Sequence, residues 1–208
     1  GLEMEYSRKN GGGIFSVRDK KIELRAAYRA RRNALEPAKK AEFDAEISRR
    51  VISLAGFRYA DAVLSYMPIS GEVDITPVNR AVLESGKLLA LPRCIPGTPT
   101  MEFRAVQSLD GLDKGKFSIM EPGEECPVWE YGDSRNVICI VPALAYDFNG
   151  YRLGYGKGYY DRYLSSKDIT KIGVVYSNFI TKILPPGRYD LAVGLIVAEK
   201  GIVRPPWG

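Results

Sequence analysis

From Asp19 to about Ala34, apolar residues fall at Ile22, Leu24 and Tyr28, with Leu35 just beyond, among arginines and alanines. This spacing predicts a basic amphipathic helix with Asp19 as its N-cap. Pro37 fits the first turn of a second helix, along which Phe43, Ile47, Val51, Ile52 and Leu54 recur at helical spacing until Gly56. After that the pattern alternates. Short apolar runs at 62–67 (AVLSYM), 87–92 (KLLALP), 137–144 (VICIVPAL), 171–177 (KIGVVYS) and 192–199 (AVGLIVAE) read as strands, and 76–85 (TPVNRAVLES) reads as a helix before Gly86. VICIVPAL is the clearest of these, because an unbroken apolar run suits a strand covered on both faces.

Strands separated by helices predict an α/β fold: an open, largely parallel sheet with helices on both faces, preceded by an N-terminal helical hairpin. Ligands of such sheets sit at the carboxyl ends of the strands. Residues 1–18 lack apolar periodicity, carry three adjacent glycines and do not begin with Met, so a mobile tail, native or added, is expected there. Residues 19–208 are expected to form a single domain.

Composition narrows the chemistry. The chain has 208 residues, 45% hydrophobic and 26% charged, and a net charge of +5 spread without one dense basic tract. Such a field could help draw in an anionic ligand, but a solvated, mildly basic surface is the commoner reading, and without a dense tract nucleic acid is not expected as partner. No run approaches the roughly 18–20 apolar residues of a membrane span. Cys94, Cys126 and Cys139 are odd in number and lack metal-ligand spacing, and no secretory leader is legible, which fits a reducing cytoplasm. Histidine is absent. Ser-His-Asp and Cys-His catalysis and His-ligated zinc are thereby excluded, leaving carboxylates, Lys, Arg, Tyr, backbone amides or a bound metal.

The stretch RLGYGKGYYD, from Arg152 to Asp161, holds glycines at 154, 156 and 158. That spacing fails both the dinucleotide fingerprint and the Walker A loop. It still permits positive φ and close backbone approach to an anion, with Arg152 and Lys157 supplying charge. A helix starting at Tyr159 would direct its positive end there, and Asp161 could cap that helix or hold a cation. The plainer alternative is a glycine-rich turn with Tyr159 and Tyr160 packed in the core. Its position after the best buried strand favours the ligand loop.

The segment VPALAYDFNGYRLGYGKGYYDRYL, together with KIELR at 21–25, MPISGEVD at 67–74, GKLLALPR at 86–93, MEF at 101–103 and IMEP at 119–122, resembles the 5-formyltetrahydrofolate cyclo-ligases (methenyltetrahydrofolate synthetases) in family order. The resemblance implies an ATP-dependent, magnesium-requiring cyclisation of 5-formyltetrahydrofolate to 5,10-methenyltetrahydrofolate, through phosphorylation of the formyl oxygen. It implies that Lys21, Arg25 and the run Arg152, Leu153, Gly154, Tyr155, Gly156, Lys157, Gly158, Tyr159 and Tyr160 bind ATP, with Arg152 and Lys157 acting on the transferring phosphoryl group. Met67 and Glu72, with Tyr155, Gly156, Lys157, Gly158 and Tyr159, would border the folate. Asp161 would hold Mg2+, and Arg93 would reach a phosphate or the folate's glutamate tail. A monomer is expected.

Two departures stand out. An acid that the family pattern places on the C-terminal strand is Gly194 here, so that Asp161 is left to hold the metal, with Asp190 or a water as stand-in. Ile75 likewise stands where a threonine is usual. These departures keep open an alternative, a non-catalytic or altered-specificity homologue that binds nucleotide or folate.

Overall fold

The computed structural model describes residues 16–115, 119–187 and 191–206. Helix α1 (Val17–Asn33) begins earlier than the apolar pattern indicates. Ser16, not Asp19, is its N-cap: the Ser16 hydroxyl accepts a hydrogen bond from the Asp19 amide at 3.2 Å, and Asp19 sits in the first turn. The expected tail boundary therefore falls inside a helix, and residues 1–15 lie outside the described residues. Acid in the first turn and Arg31 and Arg32 in the last complement the helix dipole. Pro37 opens α2 (Pro37–Ser53), as expected. A short α3 (Ala55–Tyr59) leads into the sheet.

Among the described residues, seven strands form the main sheet in the order β12-β11-β9-β6-β1-β2-β3. These are β1 (Ala62–Leu64), β2 (Leu88–Cys94), β3 (Met101–Val106), β6 (Val137–Pro142), β9 (Thr170–Val174), β11 (Leu195–Ala198) and β12 (Gly201–Val203). The five central strands are parallel, and antiparallel β3 and β12 close the edges. Neither edge strand follows from the apolar pattern, since the charged Glu102 and Arg104 interrupt β3 and β12 is only three residues long.

From the central pair, the chain passes β1 to β2 through α4 (Thr76–Glu84) in one direction and β6 to β9 through α5 (Tyr159–Leu164) in the other. Right-handed crossovers then put the two helices on opposite faces. Helix α2 packs on α4 and β11, while α5 packs on β3 through the Phe103–Tyr163 ring pair, 4.9 Å between centroids. Leu64, Leu89, Leu91, Ile140 and Ile196 are fully buried between these layers. Each contributes about 1.5–3 kcal/mol of apolar burial.

The connection after β6 is not a simple strand-to-helix turn. Ala145–Asp147 (β7) and Arg152–Leu153 (β8) form an antiparallel hairpin, extended by Ile180–Thr181 (β10) on β7. Buried Asp147 organises its tip by accepting from the amides of Asn149, Tyr151 and Leu184. The hairpin delivers Arg152 back to the end of β6. The remaining small sheet pairs β4 (Asp113–Lys114) with β5 (Met120–Glu121).

Candidate active site

The sheet order reverses between β1 and β6, and a cavity of about 460 Å³ opens at their carboxyl ends. Such a volume suits a small-molecule site. Tyr66 and Met67 enter from beyond β1, Cys94 from the end of β2 and Pro142 from the end of β6. Lys21, Arg25 and Arg29 project from α1 at i, i+4 and i+8, so one helix face lines the cavity. The glycine loop from Arg152 to Asp161 supplies another part of the wall, and Glu72 a further one. Of the residues singled out in the sequence, Lys21, Arg25, Met67, Glu72 and the run from Arg152 to Asp161 thus meet in one place.

Local geometry explains how the loop is held. Gly156 and Gly158 have φ of +93° and +69°, and Gly158 is the N-cap of α5, a conformation that L side chains rarely adopt. Arg25 Nε donates to the Gly154 carbonyl at 2.9 Å. Arg152 donates to the Pro142 carbonyl from Nε (3.2 Å) and Nη2 (3.0 Å), lies over the Tyr160 ring, and has Nη1 3.5 Å from Asp161 Oδ2. Arg162 braces the far side by donating to the carbonyls of Pro99 and Lys157. The chain therefore presents guanidinium groups on both sides of Gly154 in a partly buried setting, where each charge is less screened than at an open surface.

Glu72 is 7% exposed. Its Oε1 accepts from the Ile69 amide at 2.8 Å and its Oε2 from the Tyr155 hydroxyl at 2.9 Å. Burial raises its pKa above the ordinary carboxylate value, while these two hydrogen bonds and the charges of Arg32 and Arg152 pull it back down. Each oxygen keeps acceptor capacity for a planar pair of N–H donors.

The model of the 5-formyltetrahydrofolate cyclo-ligase family matches residues 17–199. The chain belongs to this family. It is 30% identical over 173 residues to a probable 5-formyltetrahydrofolate cyclo-ligase of Schizosaccharomyces pombe, covering 76% of this chain and 84% of the relative. It is 27% identical over 182 residues to the 5-formyltetrahydrofolate cyclo-ligase of Escherichia coli K12, covering 84% and 97%. Among solved structures, the Aquifex aeolicus 5,10-methenyltetrahydrofolate synthetase superposes with a TM-score of 0.78 at 34% identity, over 90% of this chain and 94% of that one.

Some residues lie where the cyclo-ligase resemblance did not place them. Arg93 does not line the cavity: Pro92 and Cys94 do, while the Arg93 guanidinium donates to the Pro122 carbonyl and to Glu124. Successive strand residues point to opposite faces, which is why its neighbours and not Arg93 enter. Gly194 is exposed at the start of β11, its amide bonded to the Lys171 carbonyl, and is not among the lining residues. Asp190 lies outside the described residues. The sequence reading missed Arg29, Tyr66, Cys94, Met101 and Glu121 as wall residues. Arg29 was legible, as the next step of the Lys21, Arg25 stripe. Glu121, 6% exposed and held by burial above the usual carboxylate range, was not, because a hairpin brings it to the end of β2.

Among the described residues, no three His, Cys, Asp or Glu side chains gather as a metal cage. Asp161 lines the cavity as a single carboxylate beside Arg152. That donor set fits a magnesium ion carried mainly by phosphate oxygens and water.

Proposed function

We propose that this chain catalyses the ATP-dependent cyclisation of 5-formyltetrahydrofolate to 5,10-methenyltetrahydrofolate, the reaction of its family. The observation that carries the reading is that Lys21, Arg25, Arg152 and Lys157 share one cavity with Glu72 and Met67. Cations for a triphosphate and a buried acceptor for a pterin are thus brought within one small site.

In this reading Lys21 and Arg25 of α1 and the loop amides from Leu153 to Tyr160 bind the triphosphate. Glu72 accepts the N–H donors of the pterin ring, Met67 packs beside it, and Tyr155 to Tyr159 border both substrates. The formyl oxygen attacks the γ-phosphorus and ADP leaves. The N10 lone pair then forms a bond to the activated carbon, the N10 proton is lost, and the carbon–oxygen bond breaks to release inorganic phosphate. Arg152 and Lys157 stabilise the charge on the transferring phosphoryl group, so positioning and electrostatics supply most of the rate. Magnesium, held at Asp161, would supply further neutralisation of the β- and γ-phosphates. The proposed form is a cytoplasmic monomer, and a shared hydrophobic core among the described residues supports a single domain.

The alternative of a non-catalytic homologue rested on Gly194, which is not among the residues that line the cavity, so no lining residue favours it. The test is the absorbance of the methenyl chromophore on mixing protein, 5-formyltetrahydrofolate, ATP and magnesium, with ATP omitted in one control and Lys157→Ala in another. ATP-dependent product that Lys157→Ala reduces at least about tenfold is expected. No product from the wild-type chain refutes the proposal.

A further inference from the structure

Arg32 ends the basic stripe of α1, yet it does not line the cavity and is 9% exposed. Its Nη1 donates to the Tyr155 hydroxyl at 2.8 Å and its Nη2 to the Ser70 carbonyl at 3.5 Å, whereas Nε has no partner. A buried cation with neutral partners and an unsatisfied donor is a net cost to folding. The surrounding chain is nevertheless shaped around it. Gly71 has φ +87°, and a β-carbon there would stand 2.6 Å from Arg32 Nε.

The hydrogen-bond directions follow from chemistry alone. Arginine has donors and no acceptor, so the Tyr155 oxygen must accept from Arg32. Its single proton is then free to point only one way, to Glu72 Oε2 at 2.9 Å. Burial keeps that phenol protonated, well above its ordinary pKa, so it remains a donor. Arg29 and Arg32 both lie over the Tyr155 ring, at 5.8 and 5.6 Å from its centroid, and fix the ring's place.

We propose that Arg32 is a positioning residue that acts through the Tyr155 hydroxyl to orient the Glu72 carboxyl for substrate. The proposal rests on the cyclo-ligase reading for the identity of that substrate, but the relay itself does not. Lys21 and Arg25, on the same helix, line the phosphate-binding part of the proposed site, so α1 ties the acceptor for one substrate to the cations for the other.

The other groups facing Glu72 are constant across the test: Arg152 from β8, Tyr66 beyond β1, whose hydroxyl donates to the Val73 carbonyl at 2.6 Å, and Tyr160 of α5. The Glu72 carboxyl is titrated by side-chain NMR in the ligand-free wild type, Arg32→Met, Tyr155→Phe and the double variant. Each single change is expected to raise the midpoint by about one unit, and the double variant by little more than the larger single effect. An unmoved midpoint in Arg32→Met, or fully additive shifts, overturns the relay. Tyr155→Phe removes one oxygen only and decides the matter if Arg32→Met fails to fold.

In turnover, Arg32→Met is expected to raise the KM for 5-formyltetrahydrofolate about tenfold while the ATP KM stays within about twofold, and Arg32→Lys to restore part of the loss. Lower thermal stability with an unchanged KM for 5-formyltetrahydrofolate marks Arg32 as a packing residue and overturns the proposal. A wild-type chain without turnover refutes the catalytic reading instead and leaves the NMR titration to decide the relay.

Discussion

Arg25 on the first helix donates its Nε–H to the carbonyl of Gly154, 129 positions later in the chain, at 2.9 Å. This bond joins the amino-terminal helix to the glycine loop, alongside the contacts that Arg29 and Arg32 of the same helix make with Tyr155. It also leaves the Arg25 guanidinium close to Gly156, where a β-carbon would stand 3.3 Å from it.

Arg25→Met therefore removes a charge from the proposed triphosphate site and a tether from the loop. A rise of about tenfold in the KM for ATP is expected, with a smaller change for 5-formyltetrahydrofolate. Initial rates against each substrate in turn measure it, and an unaltered ATP KM contradicts the assignment.

Glu72 gives a pH signature with a definite sign. Its folded-state pKa is raised, so the folded protein holds that proton more tightly than the unfolded chain does. The carboxyl costs stability above its folded pKa, and the cost disappears as pH falls through that value towards the unfolded one. Wild-type stability should rise relative to Glu72→Gln on going from neutral to mildly acidic solution, while Glu121, likewise raised, is common to both. Urea unfolding at the two conditions measures the difference. The same substitution is expected to lower kcat/KM for the folate about a hundredfold, since a charged acceptor is lost.

Asp161 faces Arg152 across 3.5 Å and is the one sequence-nominated metal residue on the cavity wall. Asp161→Asn keeps the shape and removes the charge. The magnesium concentration for half-maximal rate should rise about tenfold at fixed ATP. A magnesium titration in which the two proteins coincide removes Asp161 from the metal site.

Gly194 yields the opposite expectation. Among the described residues only the Lys171 carbonyl, 3.8 Å away, lies near where its β-carbon would be, so Gly194→Asp is placed at an exposed position off the cavity wall. Magnesium dependence and kcat are expected to match wild type within about twofold, because exposed substitutions away from a site have small effects. A marked gain in either places an acid at this position in the reaction.

The elements legible in advance were those with unmixed patterns. The apolar run at Val137–Pro142 became the central strand β6, and the helical periodicity around Ile47 and Val51 became α2. The edge strand β3 has a buried, half-buried, buried alternation from Met101 to Phe103 that half-buried Arg104 and Ala105 then break, and so short an apolar pattern does not specify a strand. The N-cap was misread because Ser16 and Asp19 are both good capping residues, and only the hydrogen bond between them shows which one caps.

At the site, the sequence by itself determined which chemistry is possible. Without histidine it leaves carboxylates, cations and backbone amides, and its glycine loop and KIELR helix nominate the residues. The tertiary structure alone decided what those residues do to one another. Arg32, Tyr155 and Glu72 share no sequence periodicity, yet hydrogen-bond valence links them once the fold brings them within 3 Å. Pattern records the environment of each residue along its own element. Contacts such as Arg25 with Gly154 depend on loop closure over more than a hundred residues, which no local pattern encodes.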